Sequence, residues 1–495
     1  MTTTVTKLPG KIARVVRFDT LLKDIEADEW VTPAFVALDR EGAILSISTK
    51  PPENGPGTPP RTETVAGMAL PGFVNAHSHS FQYAMAGMTE CLAPGDPSDS
   101  FWSWRERMYQ LALQLTPGEI KTIATVVFRE MVRQGFTSVV EFHYLLNRPD
   151  GKPYTNPIEI AVAVAEAAKD AGIDLMLAPV YYSQSDFGKD PLPEQRRFLS
   201  KTVSSYLKQY SQLSKYMTVH GYRTAVTVHS LRAAKPEDLM EVFQSDPKAV
   251  KHMHIAEQRQ EVDGAVAFLK KRPVEWMLEN LALDHTYNFT HATHLRSSEC
   301  ENLAKQGVNV ILCPSTEGNL GDGFFPLEDF ASYGGRFTIG TDSHVSLSPF
   351  EELRWLEYGQ RNLSQKRNVL LRTHEEDSGR RLAACAIHTG RSAAGLVDKP
   401  FTVGQSFDAI VLDPKHHTIW ELPTTHLWSS LIFGHGSQAM TGTMLRGQWA
   451  YRKDHESDDR LQFSEWKKLA TKIRGLELAL PKKKQAAVGS SRQKT

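Results

Sequence analysis

His77-Ser78-His79 directly follows the apolar run LPGFVNA. On a strand, residues i and i+2 project to one face, so both imidazoles can reach a single metal ion. Three more residues of matching chemistry stand at the ends of short apolar runs. His254 opens His254-Ile255-Ala256-Glu257, His291 closes YNFTH, and Asp342 closes FTIGTD. Buried ionisable groups are costly unless paired or metal-bound, and nothing adjacent in sequence supplies fixed partners. His294, in HATH, competes with His291 for its place. Three nitrogens and one carboxylate oxygen suit a borderline cation such as Zn²⁺ and leave a position for water; iron or manganese also fits. Such an ion lowers the pKa of bound water to about 7. A carboxylate such as Glu257 can then carry the water proton to a departing nitrogen, with Asp342 sharing in its acceptance. The fourth candidate strand ends without a lysine that could bridge a second ion, so one metal per chain is expected.

The elements that must position these residues are legible as alternating texture. From residue 70, short β-branched runs alternate with longer amphipathic segments, the pattern of repeated βα units. Eight strands are predicted: Leu70–Asn75, Ser138–Phe142, Asp174–Tyr181, Thr224–His229, Lys251–Ala256, Thr286–His291, Val308–Cys313 and Arg336–Thr341. Helical patterns lie between them, among them Glu119–Gln134, Ile158–Ala171, Val262–Asn280 and Phe350–Asn368. Eight such units favour a closed (β/α)₈ TIM barrel over a doubly wound sheet, with the active site at the C-terminal ends of the strands. Strand texture also marks residues 12–70, around the Pro/Gly-rich 51–60, and returns at Phe401–Val403, Asp408–Leu412, Trp428–Ile432 and Met444–Tyr451. The expected division is therefore 1–69 and 395–480 as one small β-sandwich domain with a terminal helix at 464–480, 70–394 as the barrel, and 481–495 as a disordered basic tail.

Composition narrows the function classes. The chain has 495 residues, 41% hydrophobic and 23% charged, with 57 acidic and 57 basic side chains. That balance supplies no global field for nucleic acid or an anionic membrane. No apolar run approaches the ~18 residues of a transmembrane helix, and the N-terminus reads as no secretory signal. Four cysteines without CxxC spacing predict reduced thiols and a cytoplasmic protein.

PGFVNAHSH, HIAE, the His291 strand and TDSH resemble the aminohydrolase branch of the amidohydrolase superfamily. The resemblance implies a mononuclear centre ligated by His77, His79, His254 and Asp342, with Glu257 as proton shuttle and His291 polarising the substrate. A finer similarity spans about residues 40–475. HSHSFQYAMAGMTE, SFWSWRERMY, VHSLRA, HIAEQRQEVD, RRPVEWMLEN, CPSTEGNLGDGFFPL and IGTDSHVSLSPFEELRWLEYGQR look like the formimidoylglutamate deiminases, a family of histidine breakdown. That similarity implies a small dicarboxylate substrate bearing a formamidine, hydrolysed to N-formyl-L-glutamate and ammonia, while the superfamily resemblance implies a homodimer. Arginine binds carboxylates in bidentate fashion, and Arg105 and Arg232 match the recognition positions; Gln82, Tyr144 and His229 match further binding positions. Tyr83 departs from the pattern, in which arginine is common.

Two other readings stand beside this one. A guanine- or adenosine-like ring would use the same metal motif without needing two fixed cations. A non-catalytic barrel scaffold would be expected to lose a ligand or the shuttle, and the whole set is present. The remaining features read as structural: Phe101, Trp102 and Trp104 as wall or core, and GNLGDG as a flexible loop after the seventh strand without phosphate-binding spacing.

Overall fold

The computed structural model describes residues 11–53, 61–92, 99–374, 376–454 and 460–476. Eight parallel strands run in chain order around a barrel: β1 Phe73–Ser78, β2 Phe136–His143, β3 Asp174–Tyr181, β4 Val226–Ser230, β5 Lys251–Ile255, β6 Tyr287–His291, β7 Asn309–Leu312 and β8 Arg336–Ile339. Every predicted barrel strand has its counterpart, because each is an apolar run bounded by turn residues. The eighth strand closes on the first just beyond their regular ends. Thr341 and Asp342 N–H both donate to His77 O at 3.0 Å, and His79 N–H donates to Asp342 O at 3.0 Å. Gly340 makes that closure possible: a Cβ there would lie 2.7 Å from His77 Cβ and 2.8 Å from His77 O.

Helices cover the outside of the barrel after each strand. Pro117–Gln134 shows how the sequence sets one. Thr116 and Glu119 form a reciprocal capping box, and Gly135 ends the helix at φ 102°, a conformation that suits glycine. Ile120, Ala124, Val127 and Met131 recur at helical spacing and are buried in the main core.

The two chain ends build one mixed sheet, in the order Gln448–Arg452, Met440–Leu445, Ala409–Leu412, Arg61–Pro71, Arg14–Asp24, Ala34–Leu38, Ile44–Ser48, with Glu29–Val31 paired to Arg14–Asp24. Ile44 N–H donates to Gln405 O (2.8 Å) and Phe407 N–H to Gly42 O (3.1 Å), tying the far edge back toward Ala409–Leu412. The small β-sandwich domain encloses its own core of Val16, Phe18, Val36, Phe407, Val411 and Met444.

Several elements differ from expectation for identifiable reasons. Leu70 and Pro71 belong to the small sheet, opposite Ile410 and Ala409, and the barrel strand begins only after Gly72, whose missing Cβ leaves room for Thr137. Val262–Asn280 is two helices, Arg259–Leu269 and Pro273–Asn280, since proline at a first helical position starts a new helix. Trp428–Ile432 is not a strand but lies in the helix Leu427–Phe433; Trp428, Leu431 and Ile432 are fully buried on one side of it, a spacing that short runs leave ambiguous. Phe401–Val403 is a turn segment, and Met444–Tyr451 lies in a hairpin centred on Arg446 and Gly447. The terminal helix runs Arg460–Arg474 and packs on Pro117–Gln134. The tail expected at 481–495 lies outside the described residues.

Candidate metal centre and substrate pocket

His77, at the end of β1, and His79, just past it, meet His254 from β5 and Asp342 from beyond β8, all buried. The Nε2 atoms of His77, His79 and His254 lie 3.0–3.3 Å apart. Asp342 Oδ1 lies 3.5 Å from His77 Nε2 and 3.2 Å from His79 Nε2. The opposite ring nitrogens show what this means. His79 Nδ1–H donates to Phe142 O at 2.9 Å and His254 Nδ1–H to His229 O at 3.0 Å. A carbonyl only accepts, so those Nδ1 atoms carry the protons and the Nε2 atoms present bare lone pairs to one another. Burial, with mutual repulsion, holds His254 well below the ordinary histidine pKa and His77 at about 3. Lone pairs converging this way, with a carboxylate beside them, need a cation. A tetrahedral ion with metal–nitrogen distances of about 2.0–2.1 Å spaces its ligands by about 3.3 Å, which fits the set.

Backbone strain concentrates here. Ala256, His291, Ala292, Asp342 and His344 all have φ between 45° and 71°, a region that non-glycine residues occupy at a cost and that recurs at functional sites.

Glu257 and His291 form the next layer. His291 Nε2 lies 3.7 Å from Glu257 Oε1 and 3.9 Å from Asp342 Oδ2. Burial raises the Glu257 carboxyl to about 7. Burial opposes charge on His291, yet Glu257, Glu317 and Asp342 outweigh it and bring that imidazole to about 10. His294, the competitor in sequence, is half-buried and faces Arg259 and Arg272.

A cavity opens over this centre, and Gln82, Arg105, Tyr144, His229 and Arg232 all line it. Gln82 Nε2–H donates to the Tyr144 hydroxyl at 2.6 Å, leaving Gln82 Oε1 without a partner among the described residues. Arg105 comes from the helix Phe101–Ala112 after β1, and Arg232 from the single turn after β4. Arg105 Nε and one Nη, with one Nη of Arg232, are buried and unpartnered among the described residues. Both guanidinium groups sit over the Trp102 ring, at 4.4 and 5.8 Å from its centroid. Trp102 therefore does more than form wall, since it supports both cations; Phe101 and Trp104 line the cavity as wall. Tyr83 stacks on Trp466 of the terminal helix at 5.9 Å and is not among the residues lining the cavity.

Three buried residues behind the candidate site are not singled out by the sequence. Glu317 accepts from His291 Nδ1–H. Glu317 lies just before GNLGDG, and the helix Pro314–Leu320 takes in the first three residues of that expected loop, which is irregular only from Gly321. Glu141 accepts from Ser80 N–H at 2.7 Å and from the Ser78 and Ser80 hydroxyls, bracing the His77-Ser78-His79 segment from behind. His344 bonds Thr341 Oγ1 at 2.9 Å and approaches Ser78 Oγ at 3.3 Å. A glutamate within the apolar run VVEFH and the histidine of TDSH were the available signals.

Residues 68–450 match the sequence model of the Amidohydrolase family. Formimidoylglutamate deiminase of Pseudomonas aeruginosa is 40% identical over 435 residues, covering 87% of this chain and 94% of its own. An amidohydrolase from Brucella melitensis superposes with a TM-score of 0.83 at 34% identity, over 93% of this chain and 100% of the other. A zinc-bound adenosine deaminase from Xanthomonas campestris shares the fold at a TM-score of 0.76 and 20% identity, over 95% and 100% of the two chains.

Proposed function

The chain belongs to the amidohydrolase family, and from that membership we propose that it hydrolyses N-formimidoyl-L-glutamate to N-formyl-L-glutamate and ammonia, a step of histidine breakdown. The observation that carries this reading is the pair Arg105 and Arg232, buried with unpaired N–H groups in the cavity that also receives Glu257 and Asp342. An unpaired buried guanidinium costs several kcal/mol unless a ligand completes it. A substrate with two carboxylates does so, and a neutral purine does not.

The metal is proposed to be zinc, one per chain, held by His77, His79, His254 and Asp342. When bound it supplies Lewis acidity, lowering the pKa of a water to about 7. The chain's own residues do the rest. Arg105 and Arg232 hold the carboxylates, with Gln82, Tyr144 and His229 orienting the formamidine over the metal centre. Glu257 accepts the proton of the attacking water and returns it to the departing nitrogen, for which a pKa near neutrality is suited. His291 Nε2 polarises the substrate at its reacting carbon, and Asp342 helps to accept the water's proton. The carbon–nitrogen bond breaks and ammonia leaves.

We assign the enzyme to the cytoplasm, in keeping with its free cysteines Cys91, Cys300, Cys313 and Cys385. No helix among the described residues is long and apolar enough to cross a membrane. A homodimer is proposed, with light scattering as its check.

The test is ammonia release from formimidoylglutamate by the zinc-loaded protein, with guanine and adenosine alongside. Release from the first alone, with N-formylglutamate as co-product, is expected. Turnover of a purine instead would keep the metal barrel and discard the dicarboxylate specificity.

A further inference from the structure

His291 is completely buried at the end of β6, with φ 71° and a ring whose two nitrogens face different neighbours. Nε2 points toward Glu257 and Asp342 and has no hydrogen-bond partner among the described residues. Nδ1 lies 3.2 Å from Glu317 Oε1. An imidazole with one free edge can rotate about its χ2, so the edge presented to a substrate depends on what holds the other edge.

Glu317 is itself held. It sits in the first turn of the helix Pro314–Leu320, and the same Oε1 accepts Cys313 N–H at 2.9 Å. Its backbone carbonyl accepts Asp322 N–H at 3.0 Å. Glu317 is buried at 6% exposure. Leu320, the last residue of this helix, lines the cavity.

We propose that Glu317 is a positioning residue: it clamps His291 through Nδ1–H so that Nε2 is the edge facing the reacting carbon. The inference rests on the deiminase reading for its substrate, but the clamp itself is a statement about ring orientation. Glu317 does not touch the substrate and takes no proton; it transmits the geometry of the helix after β7 to a side chain on β6. Partners that orient a working histidine are typically worth about 10–100-fold in activity.

Two substitutions separate reach from charge in the full-length, metal-loaded protein. Glu317→Gln keeps the length and an oxygen able to accept Nδ1–H, while losing the charge. Glu317→Asp keeps the charge but withdraws the oxygen by one methylene. For a clamp, the glutamine variant retains kcat within about tenfold, whereas the aspartate variant loses about 10–100-fold. KM for formimidoylglutamate and metal content stay near parental values in both. Crystal structures should show the His291 ring in place in the glutamine variant and turned or displaced in the aspartate variant. The reverse order of kcat, or an unmoved ring in both variants, overturns the proposal. A parent that releases no ammonia from formimidoylglutamate refutes the deiminase reading instead, and the ring orientations still decide the role of Glu317.

Discussion

Each side chain at the centre is committed by its second contact as much as by its first. His79 and His254 spend their Nδ1 protons on the carbonyls of Phe142 and His229, so only Nε2 is available to a cation. Glu257 lacks such commitment: its backbone N–H is engaged by Glu261 at 3.2 Å, while among the described residues its carboxyl accepts no hydrogen bond and meets His291 Nε2 only at 3.7 Å, which leaves it able to exchange a proton. Glu257→Gln is therefore expected to lower kcat by about 10²–10⁴-fold, the usual worth of general acid–base catalysis, with the metal content unchanged; near-parental turnover would remove Glu257 from the shuttle role. Arg232 is the more buried of the two arginines, at 4% exposure. Arg232→Gln should raise KM for the dicarboxylate by about 10–100-fold, equivalent to the roughly 1.5–3 kcal/mol of a charged hydrogen bond. Steady-state kinetics on the amidine substrate read this directly, and an unchanged KM would move carboxylate recognition elsewhere.

At the scale of elements, barrel closure and the candidate metal centre are one structure. The backbone of Thr341 and Asp342 bonds to His77 O, and Gly340 packs against His77 without a Cβ between them. Gly340→Ala places a methyl inside 3 Å of the His77 backbone and Cβ, where neither neighbour is a flexible chain end. The expected outcome is loss of bound metal together with a lower Tm, because overpacking at a rigid site costs about 1–3 kcal/mol. Metal analysis and thermal unfolding of the purified variant check it; retention of both would mean that β1 and β8 can separate without cost. The same scale explains the misread segments. Trp428–Ile432 is rich in strand-forming residues, but Trp428 packs edge-on against Phe73 at 5.9 Å, and tertiary burial overrides local propensity.

Across the whole molecule, buried acids outside the reaction centre make stability depend on pH. Glu352 is fully buried under the seventh and eighth units, accepting from Ser315 N–H at 2.9 Å and from its hydroxyl at 2.5 Å. Burial lifts its pKa to about 8, from 4.5 in the unfolded chain. The folded state thus holds this proton more tightly, so the stabilisation is complete below about pH 4.5 and is lost as pH rises through about 8. Glu352→Gln does not titrate. Its Tm is expected to gain on the parent's steadily between pH 5 and pH 8, and parallel Tm curves over that window would show that Glu352 is already ionised in the fold.

Much of this protein was determined locally. The βα alternation follows from side-chain periodicity, and HxH at a strand end can serve one ion because residues two apart share a face. His254, Glu257, His291 and Asp342 were legible because polar groups closing apolar runs stand out against them. The arginines were legible only through family likeness, since a lone arginine looks like any solvated charge. Tertiary structure alone decided which residues lie behind the first set. Glu141, Glu317 and His344 come from three separate strand ends, and their partners lie 63, 26 and 266 residues away in sequence. A hydrogen bond depends on positions to within a few tenths of an ångström. Such positions arise only when β1 meets β8 and the barrel closes.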